Sequence, residues 1–467
     1  MHQNDTIIAL ATPSGAGAIA VIRLSGPKSI PMVDACFKSI HAKTLESQNT
    51  HTIHLGHLLE GSRVIDEVLV SLFRNPQSYT GEDVVEISCH GSLYIQQEII
   101  QLFIRQGCRS AQPGEFTLRA FLNAKIDLSQ AEAVADLIAS ESQAAHEVAM
   151  KQMRGGFSSE IEKLRQKLID FTALIELELD FSEEDVEFAN RTELEKLLID
   201  LQSKLKILAD SFAYGNVLKE GVPVAIAGKP NAGKSSLLNA LFNEEKAIVS
   251  DIAGTTRDAI EDTLVINGIK YRFIDTAGLR ETSDKIESIG INRAKEKIAN
   301  AKILLYLFDR KDSTPEEVIE AVKSLHHDQL TILLVETKID QYGGFFENDF
   351  NTQVMNELRG TYTHALTAIS CFEENSIRSL KGQLEWEVNE MKNSSSVVVS
   401  NSRHYDAMIR ALSAIQSVQQ GLNTNLSGDL LALDLKDALL ALSEITGAIE
   451  VDKDILGTIF GKFCIGK

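Results

Sequence analysis

The sequence predicts a multidomain protein: an α+β front, an all-α domain, and an α/β module inserted into that all-α domain. Three observations predict it. The front of the chain holds short apolar runs separated by turns, the spacing becomes helical from Ser129, and helical spacing resumes near Tyr405 after a stretch in which strands and helices alternate. The expected boundaries are 1–124 for the α+β part, 125–217 and 392–467 for the two halves of the helical domain, and 218–391 for the insert.

Each element has its own local signal. Ile19 to Leu24 runs into Ser25-Gly26-Pro27, and Glu67 to Phe73 and Val84 to Ser88 are further apolar runs, so antiparallel strands are expected there. Ser129-Gln130-Ala131-Glu132 has the spacing of a capping box and opens a long amphipathic helix running towards Asp180. An acidic bend, Ser182 to Glu187, follows, and Thr192-Glu193-Leu194-Glu195 caps another helix lasting to about Tyr214. Inside the insert, Asn267-Gly268 between two apolar runs predicts a type I′ hairpin, and hence a mostly parallel sheet with one antiparallel edge. Helices are expected over Tyr405 to Leu422 and Asp429 to Ile445, with Gly215 to Gly221 and Lys392 to Ser400 as hinges.

Composition narrows the class. With 467 residues and 44% hydrophobic content the chain can build two or three cores. A formal charge of −20 argues against non-specific wrapping of nucleic acid, so any such contact is local or shared with a partner. The five cysteines (Cys36, Cys89, Cys108, Cys371, Cys464) form no C-x-x-C pair, which points away from a zinc site or disulfide framework and towards a reducing cytoplasm. Ile7 to Ile22 is broken by Pro13, Gly15 and Gly17, so neither a signal peptide nor a membrane span is expected.

The chemistry starts at Gly228-Lys229-Pro230-Asn231-Ala232-Gly233-Lys234-Ser235, directly after the buried run Val224 to Ala227. That is P-loop spacing: a strand ends, backbone N–H groups turn inward, and a helix begins near Lys234. Lys234 suits the β/γ-phosphate oxygens and the Ser235 hydroxyl suits Mg²⁺, with Ala232, Gly233 and Ser236 beside them. The chain therefore binds a nucleoside triphosphate. Asp275-Thr276-Ala277-Gly278 follows a strand-like run and offers a carboxylate to water-bridged Mg²⁺ and a glycine N–H to a γ-phosphate. Thr337-Lys338-Ile339-Asp340 follows another strand. Asp340 can accept from the ring N–H and exocyclic amine of guanine, which selects GTP, although Thr337 stands where Asn is usual. Ser370-Cys371 fits the last base-contacting loop.

Between these segments, Ser250-Asp251-Ile252-Ala253-Gly254-Thr255-Thr256 is counted with the nucleotide contacts, and Thr256 is assigned to the Mg²⁺ shell. Leu279 occupies the position where many GTPases carry the glutamine that orients water. Another polar group must then act, or hydrolysis is very slow. Asn231 offers an oxygen next to the β/γ-phosphates, suited to a monovalent cation. Glu287 either reaches the attacking water or is a solvated surface residue. At the C-terminus, Cys464 stands four residues from the end, but Gly466-Lys467 fits a prenylation box badly. Two readings remain, a buried apolar cysteine or a nucleophilic or redox thiol activated by Lys462 or Lys467.

Several longer strings are more specific. They are Asp5-Thr6-Ile7-Ile8-Ala9-Leu10-Ala11-Thr12-Pro13, Arg23-Leu24-Ser25-Gly26 and Ser78-Tyr79-Thr80-Gly81-Glu82-Asp83-Val84-Val85-Glu86. To these add Pro113-Gly114-Glu115-Phe116-Thr117-Leu118-Arg119-Ala120-Phe121-Leu122-Asn123, Leu442-Ser443-Glu444-Ile445-Thr446-Gly447 and Phe463-Cys464-Ile465-Gly466-Lys467. On these strings and the domain order, the chain resembles the MnmE (TrmE) family of tRNA-modification GTPases over its whole length.

The resemblance implies a folate-binding-like N-terminal domain that also forms the homodimer, with folate contacts at Arg23, Glu86, Lys125 and Lys467. Arg and Lys suit the folate glutamate, and a carboxylate suits the pterin N–H groups. It implies a Ras-like P-loop GTPase domain activated by K⁺, with cation ligands Asn231, Ser250, Ile252 and Thr255, and with Glu287 orienting water. It further implies a flavin-dependent (FAD) partner, MnmG (GidA), in a heterotetramer or larger assembly. Together they would use 5-formyl- or methylene-tetrahydrofolate to install an aminomethyl-type group, such as carboxymethylaminomethyl, on C5 of the tRNA wobble uridine. Thr337 and Cys371 depart from the usual pattern and bear on affinity. A ribosome-assembly GTPase of the Era or Der type would need a second G domain or a basic RNA-binding module, neither of which is visible. A dynamin-like GTPase would have no use for a folate-type front.

Overall fold

The computed structural model describes residues 5–180, 191–243, 262–274, 298–342, 349–391, 398–424, 426–448 and 466. The chain divides into two compact units: Met1–Ile138, Met150–Leu198 and Arg410–Lys467 form one, and Ala139–Ala149 with Ile199–Ile409 form the other.

The first unit is built on strands β1 (Ile7–Leu10), β2 (Ile19–Ser25), β3 (Phe37–Ser39), β4 (Thr52–Glu60), β5 (Arg63–Phe73), β6 (Val84–His90) and β7 (Arg109–Ser110). They pair in the order β3-β4-β5-β6-β2-β1-β7, antiparallel except for β1 with β7. Val68, Val70 and Leu72 alternate inward along β5 and pack with Ile30, Val33, Ile99, Leu102 and Phe103 of the helices Ser29–Cys36 and Leu93–Arg105. The three expected strands are present. β4 was not expected, because Ile53 and Leu55 face outward while two of its inward positions are His54 and Gly56, which gives no apolar alternation. A Cβ at Gly56 would lie 2.5 Å from the Phe37 ring, so only glycine fits.

Arg119 is the electrostatic centre of this unit. Its side chain is 8% exposed and binds Asp5, Glu82 and Glu115 at once, with Arg119 Nη1 3.0 Å from a Glu82 carboxylate oxygen. Ser25 Oγ donates to Glu82 at 2.7 Å and also shares a 2.7 Å hydrogen bond with Thr80.

The helix expected to run from Ser129 to Asp180 is three helices, Leu128–Ala139, Gln143–Met153 and Gly156–Asp180. Gly155, at φ +78°, makes the second break. The capping box lies two residues earlier than expected: Gln130 N donates to Asp127 Oδ1 at 2.8 Å, and Asp127 N to Gln130 Oε1 at 3.0 Å. Ser129 is buried and is held by Gln152. The C-terminal helix Gly428–Thr446 packs along Gly156–Asp180, with Arg165 Nε donating to Ser443 Oγ at 2.8 Å. Gly447 follows at φ +74°, so close to Phe121 that a Cβ would lie 2.8 Å from its ring.

The second unit holds β8 (Val222–Gly228), β9 (Asp262–Ile266), β10 (Ile269–Phe273), β11 (Ile303–Phe308), β12 (Thr331–Glu336) and β13 (Thr363–Ala368), in the order β13-β12-β11-β8-β10-β9. All pairs are parallel except β9 with β10, as expected from the Asn267-Gly268 turn. Both turn residues have positive φ, 50° and 80°. Leu305, Leu307, Leu333 and Val335 fill one face of this sheet and Leu304, Tyr306, Ile332 and Leu334 the other, because a parallel sheet is covered on both sides. The segment Ala139–Ala149 docks on the hairpin tip: Ala144 N donates to Gly268 O at 3.0 Å, and Glu141 pairs with Lys270 at 2.6 Å. The stretch expected to hinge at Gly215 is helical, Phe212–Glu220. A Cβ at Gly215 would lie 2.1 Å from the Val399 carbonyl, and Val399 N donates to Ser211 Oγ at 3.0 Å, so this connection is packed.

The Arg119 cluster generates a test. Arg119→Met removes the buried guanidinium that the half-buried Asp5, Glu82 and Glu115 share and is expected to weaken the first unit by about 1–3 kcal/mol. Amide exchange in β1 and β2 would quicken, with the parallel sheet unchanged. Burial alone would raise the pKa values of Asp5 and Glu115, but Arg109 and Arg119 hold both below the usual carboxylate range. Groups depressed in this way stabilise above their unfolded pKa and lose that contribution as pH falls through the folded one. Protection of β1 is therefore expected to decline below about pH 4, and less steeply in the variant.

Candidate functional site

The nucleotide loops all leave the carboxyl edge of the parallel sheet, where such folds place their ligands. β8 ends at Gly228, φ +147°, packed so close to β11 that a Cβ would lie 2.2 Å from the Leu307 carbonyl. The chain turns through Asn231 (φ +65°) and Gly233 (φ +89°) and enters the helix Lys234–Asn243. Left-handed backbone at these two positions is what curls a loop around a phosphate chain. Lys234 Nζ bonds the loop's own carbonyls, Gly228 O at 2.7 Å and Lys229 O at 2.8 Å, and burial lowers its pKa. An ammonium held in this way gains from an anion that replaces the lost water. Ser235 and Ser236 open the same helix, aimed by its first turn, while Pro230 and Ala232 complete the loop.

The base-side loop starts where β12 ends. Thr337 is 1% exposed, and its hydroxyl bonds Ala232 O at 3.0 Å and Phe308 O at 3.2 Å. The residue that departs from the usual asparagine is thus a buried joint between the phosphate loop and the base loop. Lys338 has φ +59°, and its Nζ meets Asp309 Oδ2 at 2.9 Å. Asp340 is exposed on the short 3₁₀ turn Ile339–Tyr342. The third loop, after β13, brings Ser370 and Cys371 alongside. Ser370 is fully buried and is tied by Ser376, whose hydroxyl donates to Ser370 O at 2.9 Å. The half-buried Cys371 thiol is pushed up in pKa by burial and then by the Asp340 carboxylate. Among the expected nucleotide residues, 231–236, Thr337, Lys338, Asp340, Ser370 and Cys371 therefore share one edge.

Sequence reading missed Asp309 and Tyr342, which hold this loop. The available signal was position: Asp309 is the first residue beyond an all-apolar strand at the ligand edge. The expected residues Ser250, Asp251, Ile252, Ala253, Gly254, Thr255, Thr256, Asp275, Thr276, Ala277, Gly278 and Glu287 lie outside the described residues, as do Cys464 and Lys467. A cleft of about 530 Å³ opens at the opposite strand ends, between Lys302, His326, Thr331 and Tyr362, away from these loops.

In the first unit, Arg23 and Glu86 stand directly opposite on β2 and β6 and form a two-nitrogen ion pair, 2.7 and 2.8 Å. The Arg23 guanidinium lies 5.7 Å from the Tyr79 ring and 5.5 Å from the Phe116 ring. Arg23 Nη1 also donates to the Gly466 carbonyl at 3.4 Å, which brings the chain's penultimate residue to this site. Lys125 Nζ donates to Pro76 O at 2.9 Å, on the same loop that carries Tyr79. Cys36, Cys89 and Cys108 are buried, and among the described residues no cluster of His, Cys, Asp and Glu is arranged to hold a metal. No described helix is long and apolar enough to cross a membrane.

Comparison with known proteins gives the same picture at the level of families. Residues 6–125 match the model of the GTP-binding protein TrmE N-terminus, and residues 128–464 that of the MnmE helical domain. The tRNA modification GTPase MnmE of Flavobacterium johnsoniae is 55% identical over 100% of both chains, and that of Bacteroides fragilis is 50% identical over 99% of both. Likeness to solved structures is slight. Aquifex aeolicus Era bound to GDP.AlF4⁻ gives 22% identity over 41% of this chain and 66% of that one, with a TM-score of 0.26. The FeoB G-domain of Methanococcus jannaschii gives 19% over 36% and 98%, with a TM-score of 0.25.

Thr337→Val keeps the side-chain shape but leaves the Ala232 carbonyl without its hydroxyl. That loss typically costs about 1–3 kcal/mol, so GDP release, followed by fluorescence, is expected to accelerate about tenfold. An unchanged release rate would show that this joint does not hold the phosphate loop.

Proposed function

This chain belongs to the MnmE family of tRNA-modification GTPases, and we propose that its GTP hydrolysis is K⁺-activated and serves wobble-uridine modification. The observation that carries the GTPase reading is the single edge on which Lys234, Thr337 and Asp340 meet, with Lys234 bound to the loop carbonyls of Gly228 and Lys229. GTP lies with its phosphates in the loop 228–235 and its base against Asp340, between the loops of Lys338 and Cys371. Ser235, with Thr256 and Asp275 from outside the described residues, would hold Mg²⁺. Mg²⁺ supplies charge neutralisation between the β- and γ-phosphates. Because Leu279 cannot orient water, Glu287 does so, and Asn231, Ser250, Ile252 and Thr255 hold K⁺. The exposed position of Asn231 in the phosphate loop supports this.

The first unit binds a tetrahydrofolate one-carbon donor. The Arg23–Glu86 pair supports a refined assignment: paired residues address one end of a ligand, so Glu86 takes the pterin N–H groups while Arg23 fixes it. Lys125 and Lys467 remain for the glutamate tail. Cys464 stands two residues from Gly466, whose carbonyl meets Arg23, and this supports a chemical role for its thiol. The protein acts as a homodimer in the cytoplasm with the FAD-dependent MnmG, on tRNA. The chain is organised in four parts, with divisions at residues 124, 217 and 391.

Two measurements test this. GTP turnover at saturating nucleotide is expected to rise severalfold or more in K⁺ over Na⁺, and equal rates would overturn the cation assignment. Mass spectrometry of tRNA from a strain lacking this protein is expected to show wobble uridines without the C5 aminomethyl-type group. A normal nucleoside profile would remove the tRNA reading.

A further inference from the structure

The turn that presents Asp340 is held from both ends by one buried carboxylate. Asp309 follows β11 directly, and its side chain is 3% exposed. Its Oδ2 takes the Lys338 ammonium at 2.9 Å, immediately before the turn. Its Oδ1 accepts the Lys311 backbone N–H at 3.0 Å and the Tyr342 hydroxyl, at the last residue of the turn. The Tyr342 ring is covered in its turn: the Arg310 guanidinium lies 4.1 Å from its centroid and Lys311 Nζ 5.3 Å. Burial would raise the Asp309 pKa, but the Tyr342 and Lys338 bonds bring it below the usual range. Burial, and then Asp309, pushes the Tyr342 hydroxyl up to about 12. The pair therefore stays carboxylate and phenol across the physiological range.

We propose that Asp309 and Tyr342 are positioning residues for guanine recognition: they clamp Lys338 through Tyr342 from both sides and so preset the exposed Asp340 carboxylate. The proposal rests on the reading that Asp340 meets the base. Lys338 sits in left-handed backbone that a lysine rarely adopts, and the Asp309 ion pair offsets that strain. Without the Tyr342 hydroxyl the turn keeps Lys338 on Asp309 and Ile339 N on the Ile369 carbonyl at 3.3 Å, but its far end loses its bond to Asp309 and loosens. The Asp340 carboxylate must then be ordered each time a nucleotide binds, which lowers affinity and leaves chemistry at the γ-phosphate alone.

The test uses the full chain with fluorescent GDP and IDP, the latter lacking the purine amine that Asp340 would accept from. Tyr342→Phe is expected to speed GDP release about tenfold, the loss of one charge-assisted hydrogen bond. IDP release should change by less than about half that factor, and turnover at saturating GTP should stay within about twofold. Asp309→Asn is expected to do the same and serves if Tyr342→Phe does not fold. In an Asp340→Ala background, Tyr342→Phe is expected to add nothing, since its effect passes through Asp340. If Asp340→Ala leaves the GDP to IDP preference intact, the base reading itself fails. If it abolishes that preference while Tyr342→Phe and Asp309→Asn release GDP at the parent rate, or quicken GDP and IDP equally, the clamp is overturned.

Discussion

The nucleotide edge depends on how closely β8 approaches β11. The Leu307 carbonyl leaves no room for a Cβ at Gly228, and this closeness lets the loop that follows turn under the sheet edge instead of away from it. Once the loop is so placed, its inner carbonyls receive Lys234 and its outer carbonyl, Ala232, receives Thr337. The base loop then has a fixed origin, and Asp309, one residue past the strand that Gly228 touches, sets its far end. A contact between two backbones thus sets the origin and the far end of the turn that carries Asp340.

Much of this edge was legible because loops that bind phosphate are constrained by backbone geometry, and backbone geometry is written in glycine spacing and strand-helix alternation. The hairpin at Asn267-Gly268 was legible for the same reason, since few residues accept positive φ twice in succession. The role of Thr337 was not. As a letter it is a missing asparagine, and only the fold brings its hydroxyl to the Ala232 and Phe308 carbonyls. Asp309 and Tyr342 escaped because their partnership spans 33 positions and neither belongs to a short pattern. The capping box was misplaced by two residues because Asp127 with Gln130 and Ser129 with Glu132 satisfy the same spacing. Burial of Ser129 against Gln152 decided between them.

In the first unit, strings of letters became charges in contact. The segments Ser78 to Glu86 and Pro113 to Asn123, distant in sequence, meet through Arg119 on Glu82 and through Tyr79, whose hydroxyl pairs with Thr117 at 2.8 Å. Asp5, from the first string, closes the same cluster. Arg119 is buried and answers three carboxylates at once, which makes the cluster exacting about identity in a way that the apolar face under β5 is not.

The order in which the chain is made has a consequence for this architecture. The second unit closes at Ile409, so all its strands emerge from the ribosome before the first unit has its last helix. The first unit, begun at the N-terminus, must wait for Gly428–Thr446 to cover Gly156–Asp180, for Gly447 to seat against Phe121, and for Gly466 to reach Leu10 and Arg23. During synthesis the GTPase module can therefore be finished while its host is still open. A premature stop near the 3′ end of the message would strip the oldest part of the molecule and leave the younger insert whole.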